Sequence, residues 1–305
     1  MSQQSTTHAT TGANMSAFKS QKLAIIGLGL MGGSLAIGLR QHADCIIGMD
    51  MNAETRQRAL DDGIIDIATD DLKTAVHDAD TVLLAAPVNV ILMLLRKQIA
   101  PYLRSNTLII DIGSTKADIC EAMGQLPIGV QAIGGHPMTG KERNGIAFSD
   151  PDLYRGKPFV LSPTRRTTPA TRIRAHELLA ALGALPVEME AARHDRVVAT
   201  ISHVPYLLSI ALMATASHQA QQDEGVWALA AGGFRDMTRL AGSDITMMSD
   251  ITGTNTQAIA ELLAHFRMQL AILETMLIAG DKERLAEALA PQRDSRLKWE
   301  KHYKK

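Results

Sequence analysis

Residues 23–32 read Leu23-Ala24-Ile25-Ile26-Gly27-Leu28-Gly29-Leu30-Met31-Gly32, an apolar run that breaks into a Gly-x-Gly-x-x-Gly loop. A second apolar run, Cys45-Ile46-Ile47-Gly48-Met49, ends on the acid Asp50, eighteen residues beyond Gly32. Strand, glycine loop, helix, strand and acid in this order form the pattern of a dinucleotide-binding half-domain. Gly27 suits the tight turn. Gly29 lets backbone N–H groups approach a pyrophosphate, and Gly32 lets the helix pack closely on its strand with its positive N-terminal end toward the phosphates. Leu28, Leu30 and Met31 complete the expected cofactor loop. A glycine-rich turn with no ligand would leave the position of Asp50 unexplained. A carboxylate there accepts hydrogen bonds from a ribose 2′-hydroxyl and repels a 2′-phosphate. The nearest downstream base is Arg56, expected in the turn into the next helix. NAD is therefore expected rather than NADP, with FAD less favoured.

Outward from this loop, strand and helix signals alternate as far as residue 189. Strands are expected at 22–27, 45–50, 64–67, 81–86, 107–112, 130–135, 158–162 and 185–189, with helices between most of them, such as 33–42, 53–62, 89–100 and 169–182. That alternation predicts an α/β domain with a doubly wound, mostly parallel, Rossmann-type sheet, whose ligands bind beyond the carboxyl ends of the strands. After about residue 190 the chain is rich in Ala, Leu and Met with helical periodicity, and helices are expected at 191–219, 223–232, 233–241, 244–252, 254–279 and from 281 onward. The expected organisation is a tail over 1–20, a dinucleotide-binding domain over 21–189 and an all-helical C-terminal substrate and dimerisation domain over 190–305. The stretch 254–279 is apolar on more than one face, as in a helix covered by a second subunit, so a homodimer is expected. The methionines of this half read as core filler, and the basic end from Arg293 as a solvated helix terminus.

The 305 residues carry a net charge of −1, which argues against a nucleic-acid surface. The longest apolar stretch, Thr81–Leu95, is interrupted by Pro87 and Asn89, so no membrane partner is expected. The ten histidines lack metal-ligand spacing, so no metal is expected. Cys45 and Cys120 read as reduced, buried thiols of a cytoplasmic protein. Residues 1–20 carry no acid and Lys19 as their one base, unlike a transit peptide.

Three constellations stand apart from the core. Asp111-Ile112-Gly113-Ser114-Thr115-Lys116 lies at a strand end near the expected nicotinamide. Ser114 there is either a helix cap or a site residue. His136, in Gly134-Gly135-His136-Pro137-Met138-Thr139-Gly140, is held on a constrained backbone at the same edge, which favours a catalytic reading over a structural one. In the helical half, Pro205 follows His203 and implies a kink. Arg235 and Arg239 share a helix face, either paired with Asp236 or Asp244 or facing an anionic substrate.

Together these segments resemble the prephenate/arogenate dehydrogenase family of tyrosine biosynthesis, from about residue 22 to 290. The resemblance rests on Gly27–Gly32, Asp111–Lys116, Gly135-His136-Pro137-Met138 with Gly140, Glu142 and Gly145, Ser202-His203-Val204-Pro205, and Gly233-Phe234-Arg235-Asp236-Met237-Thr238-Arg239-Leu240-Ala241. It implies an oxidative decarboxylation in which a hydride leaves C4 of a cyclohexadienyl ring for NAD⁺ and the ring carboxylate leaves as CO₂. Mapped by motif, His136 draws the proton from the C4 hydroxyl, Ser114 orients His136, Arg239 holds a substrate carboxylate, and His203 and Thr139 line the substrate pocket. Met248 stands where many relatives carry a tryptophan, and Asn144 where a serine is common. No separate effector domain is expected after the helices, so tyrosine, if it inhibits, should compete in the active site. A β-hydroxyacid dehydrogenase is the nearest alternative, but its chemistry resembles a lysine-based site in the helical half, and this chain has no lysine between Lys157 and Lys282. A non-catalytic NAD sensor would not need His136, Ser114 and Arg239 together.

Overall fold

The computed structural model of the chain describes residues 17–141 and 143–303. The chain divides into two compact units, one of residues up to 197 together with 243–254, the other of 198–242 and 255 onward. The boundary thus departs from a single cut near 190: the segment 243–254 groups with the sheet.

The first unit carries one eight-stranded sheet: β1 (Ser20–Ile26), β2 (Ala43–Met49), β3 (Ile67–Thr69), β4 (Thr81–Leu84), β5 (Leu108–Asp111), β6 (Gln131–Pro137), β7 (Pro158–Pro163) and β8 (Leu185–Glu188). The strand order is β3-β2-β1-β4-β5-β6-β7-β8, parallel throughout except for the antiparallel β6–β7 pair. Alternate residues of β1 feed opposite cores. Leu23 and Ile25 pack with Leu28, Leu35 and Tyr154, whereas Ala24 and Ile26 pack with Val82, Leu84 and Ile109. Both faces are covered, so the strands read as continuous apolar runs instead of alternating ones. The chain reverses direction across the sheet between β1 and β4, where open α/β sheets bind ligands.

All eight expected strands are present, and β3 shows the largest shift. Ile64 and Ile65 are buried in the loop before it, and the strand itself is the exposed edge Ile67–Thr69. Part of the stretch expected to be tail is built into the fold: Phe18 is buried in the core and Ser20 opens β1. The rest of that expectation, residues 1–16, lies outside the described residues. Cys120 is buried, and burial pushes its thiol up to about 12. Cys45 is only half-buried at the start of β2, because the first turn of that strand projects past the core.

The second unit is helical. A continuous helix over Ala191–Ala220 enters it, and the helices Thr256–Ile278 and Lys282–Tyr303 follow. The Ala191–Ala220 helix meets the length and apolarity of a membrane span, with 28% of its apolar window buried. Pro205 has no N–H to return to the preceding turn, and the helix widens to a π-helical turn, Ala199–His203, just before it. This turn is the form that the expected kink takes. The core of the unit is small: Ala199, Val204 and Ile259 are buried, with Leu207, Leu208 and Leu262 half-buried around them.

Candidate functional site

The glycine loop leaves β1 by a turn that requires Gly27, whose φ is 98°. A Cβ on Gly32 would lie 1.9 Å from the Gly27 carbonyl oxygen, so the helix can sit this close to the strand only with glycine there. At Gly29 a Cβ would meet nothing within 4 Å. That open space lies over the start of the Leu30–Gly38 helix, which no side chain caps, so its first-turn N–H groups face an anion-sized cradle. The Tyr154 hydroxyl, buried below, donates to the Met31 carbonyl at 2.7 Å and pins the loop from behind. The loop therefore fits a pyrophosphate.

Asp50 stands just past β2. Its Oδ2 accepts the Leu28 N–H and its Oδ1 the Asn52 N–H, both at 2.9 Å, which holds the carboxylate beside the loop with acceptor capacity left on each oxygen. The Leu28 N–H donates to Asp50 and its side chain is fully buried, so it shapes the loop. Arg56 turns back onto the carbonyls of Asp50 and Met51 and pairs with Asp70 at 2.9 Å, which commits its guanidinium to the protein.

A cavity of about 330 Å³ opens on the other side of β1. Met31, Pro87, Val88, Ser114 and Asn144 line it, together with residues of the Ile245–Gly253 helix. Asn144, which the sequence left without a role, therefore faces this cavity. Met248 is buried beneath that helix, and its neighbour Met247 is the one that lines the cavity.

His136 lies one strand further along, at the carboxyl end of β6. Two buried groups govern its surroundings. The first is Asp111, fully buried at the end of β5, whose Oδ1 accepts the Gly135 N–H at 3.0 Å. Its Oδ2 accepts the Gly113 N–H at 2.8 Å and pairs with the equally buried Lys116 ammonium. One carboxylate thus ties the Ser114 loop, the following helix and the residue before His136 together.

The second is a chain of imidazoles. His136 Nδ1 lies 2.8 Å from His194 Nε2, and His194 Nδ1 lies 2.7 Å from Asp195 Oδ1. Asp195 also accepts the N–H groups of Lys116 at 2.7 Å and Ala117 at 2.8 Å, capping the Ala117–Gly124 helix from a distant part of the sequence. His194 and Asp195 are 1% and 3% exposed, so water does not compete for these bonds. The carboxylate can only accept, so His194 Nδ1 carries a proton. With His194 neutral, its Nε2 accepts from His136 Nδ1, and a neutral His136 then carries its lone pair on Nε2.

The other expected residues are placed as follows. Ser114 lines the cavity and makes no side-chain hydrogen bond among the described residues, while His136 Nδ1 is held by the buried His194 imidazole. Thr139 donates to the Leu153 carbonyl at 3.2 Å in the turn after β6. In the helical unit, His203 is buried in the π turn with Nδ1 3.2 Å from Asn255 Nδ2. Arg239 is exposed at the start of the turn Arg239–Gly242, and Arg235 is exposed in the helix before it. Asp244 caps its own helix by accepting the Met247 N–H. Sequence reasoning missed His194 and Asp195. The available signal was the run Arg193-His194-Asp195-Arg196 opening an otherwise apolar helix.

Comparison with known proteins agrees with this architecture. Residues 35–187 match the prephenate dehydrogenase nucleotide-binding domain and residues 190–291 the prephenate dehydrogenase dimerization domain. Prephenate dehydrogenase of Lactococcus lactis is 37% identical over 268 residues, covering 86% of this chain and 73% of that protein. The crystal structure of prephenate dehydrogenase from Aquifex aeolicus, in complex with hydroxyphenyl propionate and NAD+, superposes with a TM-score of 0.84 at 29% identity, covering 93% and 99% of the two chains. Synechocystis arogenate dehydrogenase gives a TM-score of 0.80 at 30% identity, covering 92% and 100%. With both domains of the family matched in order around a glycine loop and a hydrogen-bonded imidazole pair, the chain belongs to the prephenate dehydrogenase family.

Proposed function

We propose that this protein is an NAD-dependent dehydrogenase that oxidatively decarboxylates prephenate, or its side-chain amino counterpart arogenate. The observation that carries the reading is the hydrogen-bonded run His136–His194–Asp195, with 2.8 Å and 2.7 Å between its atoms, at the same sheet edge as a loop built for a dinucleotide. The backbone of Gly29–Gly32 would hold the pyrophosphate and Asp50 the adenosine ribose. NAD⁺, when bound, supplies the acceptor for the hydride that leaves C4 of the ring. His136 Nε2 takes the C4 hydroxyl proton as that hydride departs, which pushes electron density toward the breaking C–H bond. The resulting imidazolium is shared along His194 toward the Asp195 carboxylate. Loss of the ring carboxylate as CO₂ leaves an aromatic phenolate, and His136 returns the proton to its oxygen. Incubation with NAD⁺ and each substrate tests the reading: NADH must appear with at least one, and no NADH with either would reject it.

The cofactor preference follows from Asp50. Replacing Asp50 with Ser and Met51 with Arg should move preference toward NADP, by removing the repelling charge and adding one that pairs with a 2′-phosphate. Wild-type protein equally efficient with NAD and NADP would contradict the reading of Asp50.

Arg239 is assigned to a substrate carboxylate from its place in the Thr238-Arg239-Leu240-Ala241 motif. Charge-assisted hydrogen bonds contribute about 1.5–3 kcal/mol, so Arg239→Ala should raise KM roughly 10- to 150-fold while NAD affinity stays unchanged. Loss of NAD affinity with KM unaltered would move Arg239 out of the substrate site.

The helical unit is assigned to a homodimer. Its few buried residues contrast with exposed Ile210, Leu212, Leu270, Ile272, Leu277 and Ile278 along the Ala191–Ala220 and Thr256–Ile278 helices, an apolar surface that a second copy would cover. Sedimentation at micromolar concentration should give twice the 32.9 kDa chain mass, and a monomer alone would reject the assignment.

A further inference from the structure

The segment 243–254 falls within the part of the chain that matches the dimerization domain, yet it groups with the sheet. Its helix, Ile245–Gly253, buries Met248 and Ile251 and packs on the Val88–Met93 helix. Two polar ties fasten it. Asn89 Nδ2 donates to Asp250 Oδ1 at 2.6 Å, with the Asn89 N–H 3.4 Å from Oδ2. The hydroxyls of Thr115 and Thr254 lie 2.9 Å apart. Asn89 lies in the first turn of the Val88–Met93 helix after β4 and Thr115 in the loop after β5, so the helix bridges the connections at the carboxyl ends of these neighbouring strands. Between helix and loops lies the 330 Å³ cavity, with Thr246, Met247 and Asp250 on the helix side and Ala86, Pro87 and Ser114 on the sheet side.

The direction of a bound dinucleotide follows from the loop. Asp50 would hold the adenosine ribose near β2, and the Gly29–Gly32 backbone would hold the pyrophosphate. The remaining half would then be held across β1, toward β4 and β5, where the cavity opens. We propose that the Ile245–Gly253 helix is the outer wall of the nicotinamide subsite, and that the Asn89–Asp250 and Thr115–Thr254 ties are what position it. These are positioning residues for the cofactor's reactive half. The inference rests on the NAD reading above. It adds that a segment from the helical half of the sequence completes the subsite.

Calorimetric titration with NADH and, separately, with ADP tests this, because ADP carries the adenosine and pyrophosphate without the nicotinamide riboside. Asp250→Ala should weaken NADH binding roughly tenfold, as expected for one charge-assisted hydrogen bond holding the wall, and leave ADP binding unchanged. Asp250→Asn keeps an acceptor for Asn89 and should retain most of the NADH affinity. Thr115→Val, at the other tie, should act in the same direction. Unchanged ADP binding also shows that the sheet unit is folded in each variant. The inference fails if NADH binds both Asp250→Ala and Thr115→Val as tightly as wild type, or if NADH and ADP weaken in parallel. Wild-type protein that binds neither NADH nor ADP would overturn the NAD reading itself, and this inference with it.

Discussion

His136→Asn is expected to lower kcat by roughly 10²- to 10⁴-fold, the range for removing a general base, while KM changes little. The asparagine amide is close to the ring in size and can still donate toward His194, so the fold around β6 should survive. What is lost is the ring nitrogen proposed to take the hydroxyl proton. The acid limb of the wild-type rate profile should vanish in the variant, because no imidazole at position 136 remains to be protonated. NADH affinity, which depends on the glycine loop and Asp50, should be untouched. A variant with near-normal kcat would show that proton transfer is carried elsewhere.

The strands were legible because both faces of a doubly wound sheet are covered, which makes each strand a short unbroken apolar run such as Leu23–Ile26 or Leu108–Ile110. β3 was less legible because it is an edge. The apolar pair Ile64-Ile65 that attracted the strand reading is buried in a loop, and of the pairing residues beyond it Ile67 is exposed and Ala68 and Thr69 are half-buried. The glycine loop and Asp50 were legible because their spacing is set by one local turn, strand and helix. The unit to which 243–254 belongs was not, because helical periodicity reports an apolar face and says nothing of what covers it. Met248 and Ile251 serve equally as helix-bundle or sheet-unit core until Asn89 and Thr115 are seen to hold them. His194 was hidden for a related reason. It meets His136 across a separation of 58 residues, and no local pattern encodes that contact. The family resemblance pointed to Ser114 as an orienting group, and the structure adds an imidazole from the opening turn of the Ala191–Ala220 helix.

His194→Leu is expected to lower kcat by on the order of 10²- to 10³-fold, the second-largest effect, although His194 does not touch the substrate. The analogy is with orienting groups in hydrolase triads, whose removal leaves the base in place but in the wrong tautomer. Leucine fills most of the buried volume and accepts no hydrogen bond. The Nδ1–H of His136 would then face an apolar side chain, and burial without a partner favours the tautomer with its proton on Nε2, which cannot accept from a hydroxyl. Asp195 would lose one of its donors but keep the N–H groups of Lys116 and Ala117, so the Ala117–Gly124 helix stays capped. A fall in kcat with KM, NADH affinity and melting temperature near wild type is therefore the signature of positioning. A merely structural role would instead move melting temperature and NADH affinity along with the rate. His194→Gln separates the two further, because its amide oxygen can stand near the Nε2 position and accept from His136. It should recover part of the lost rate, and a glutamine variant no better than leucine would refute the role given to the His136–His194 hydrogen bond.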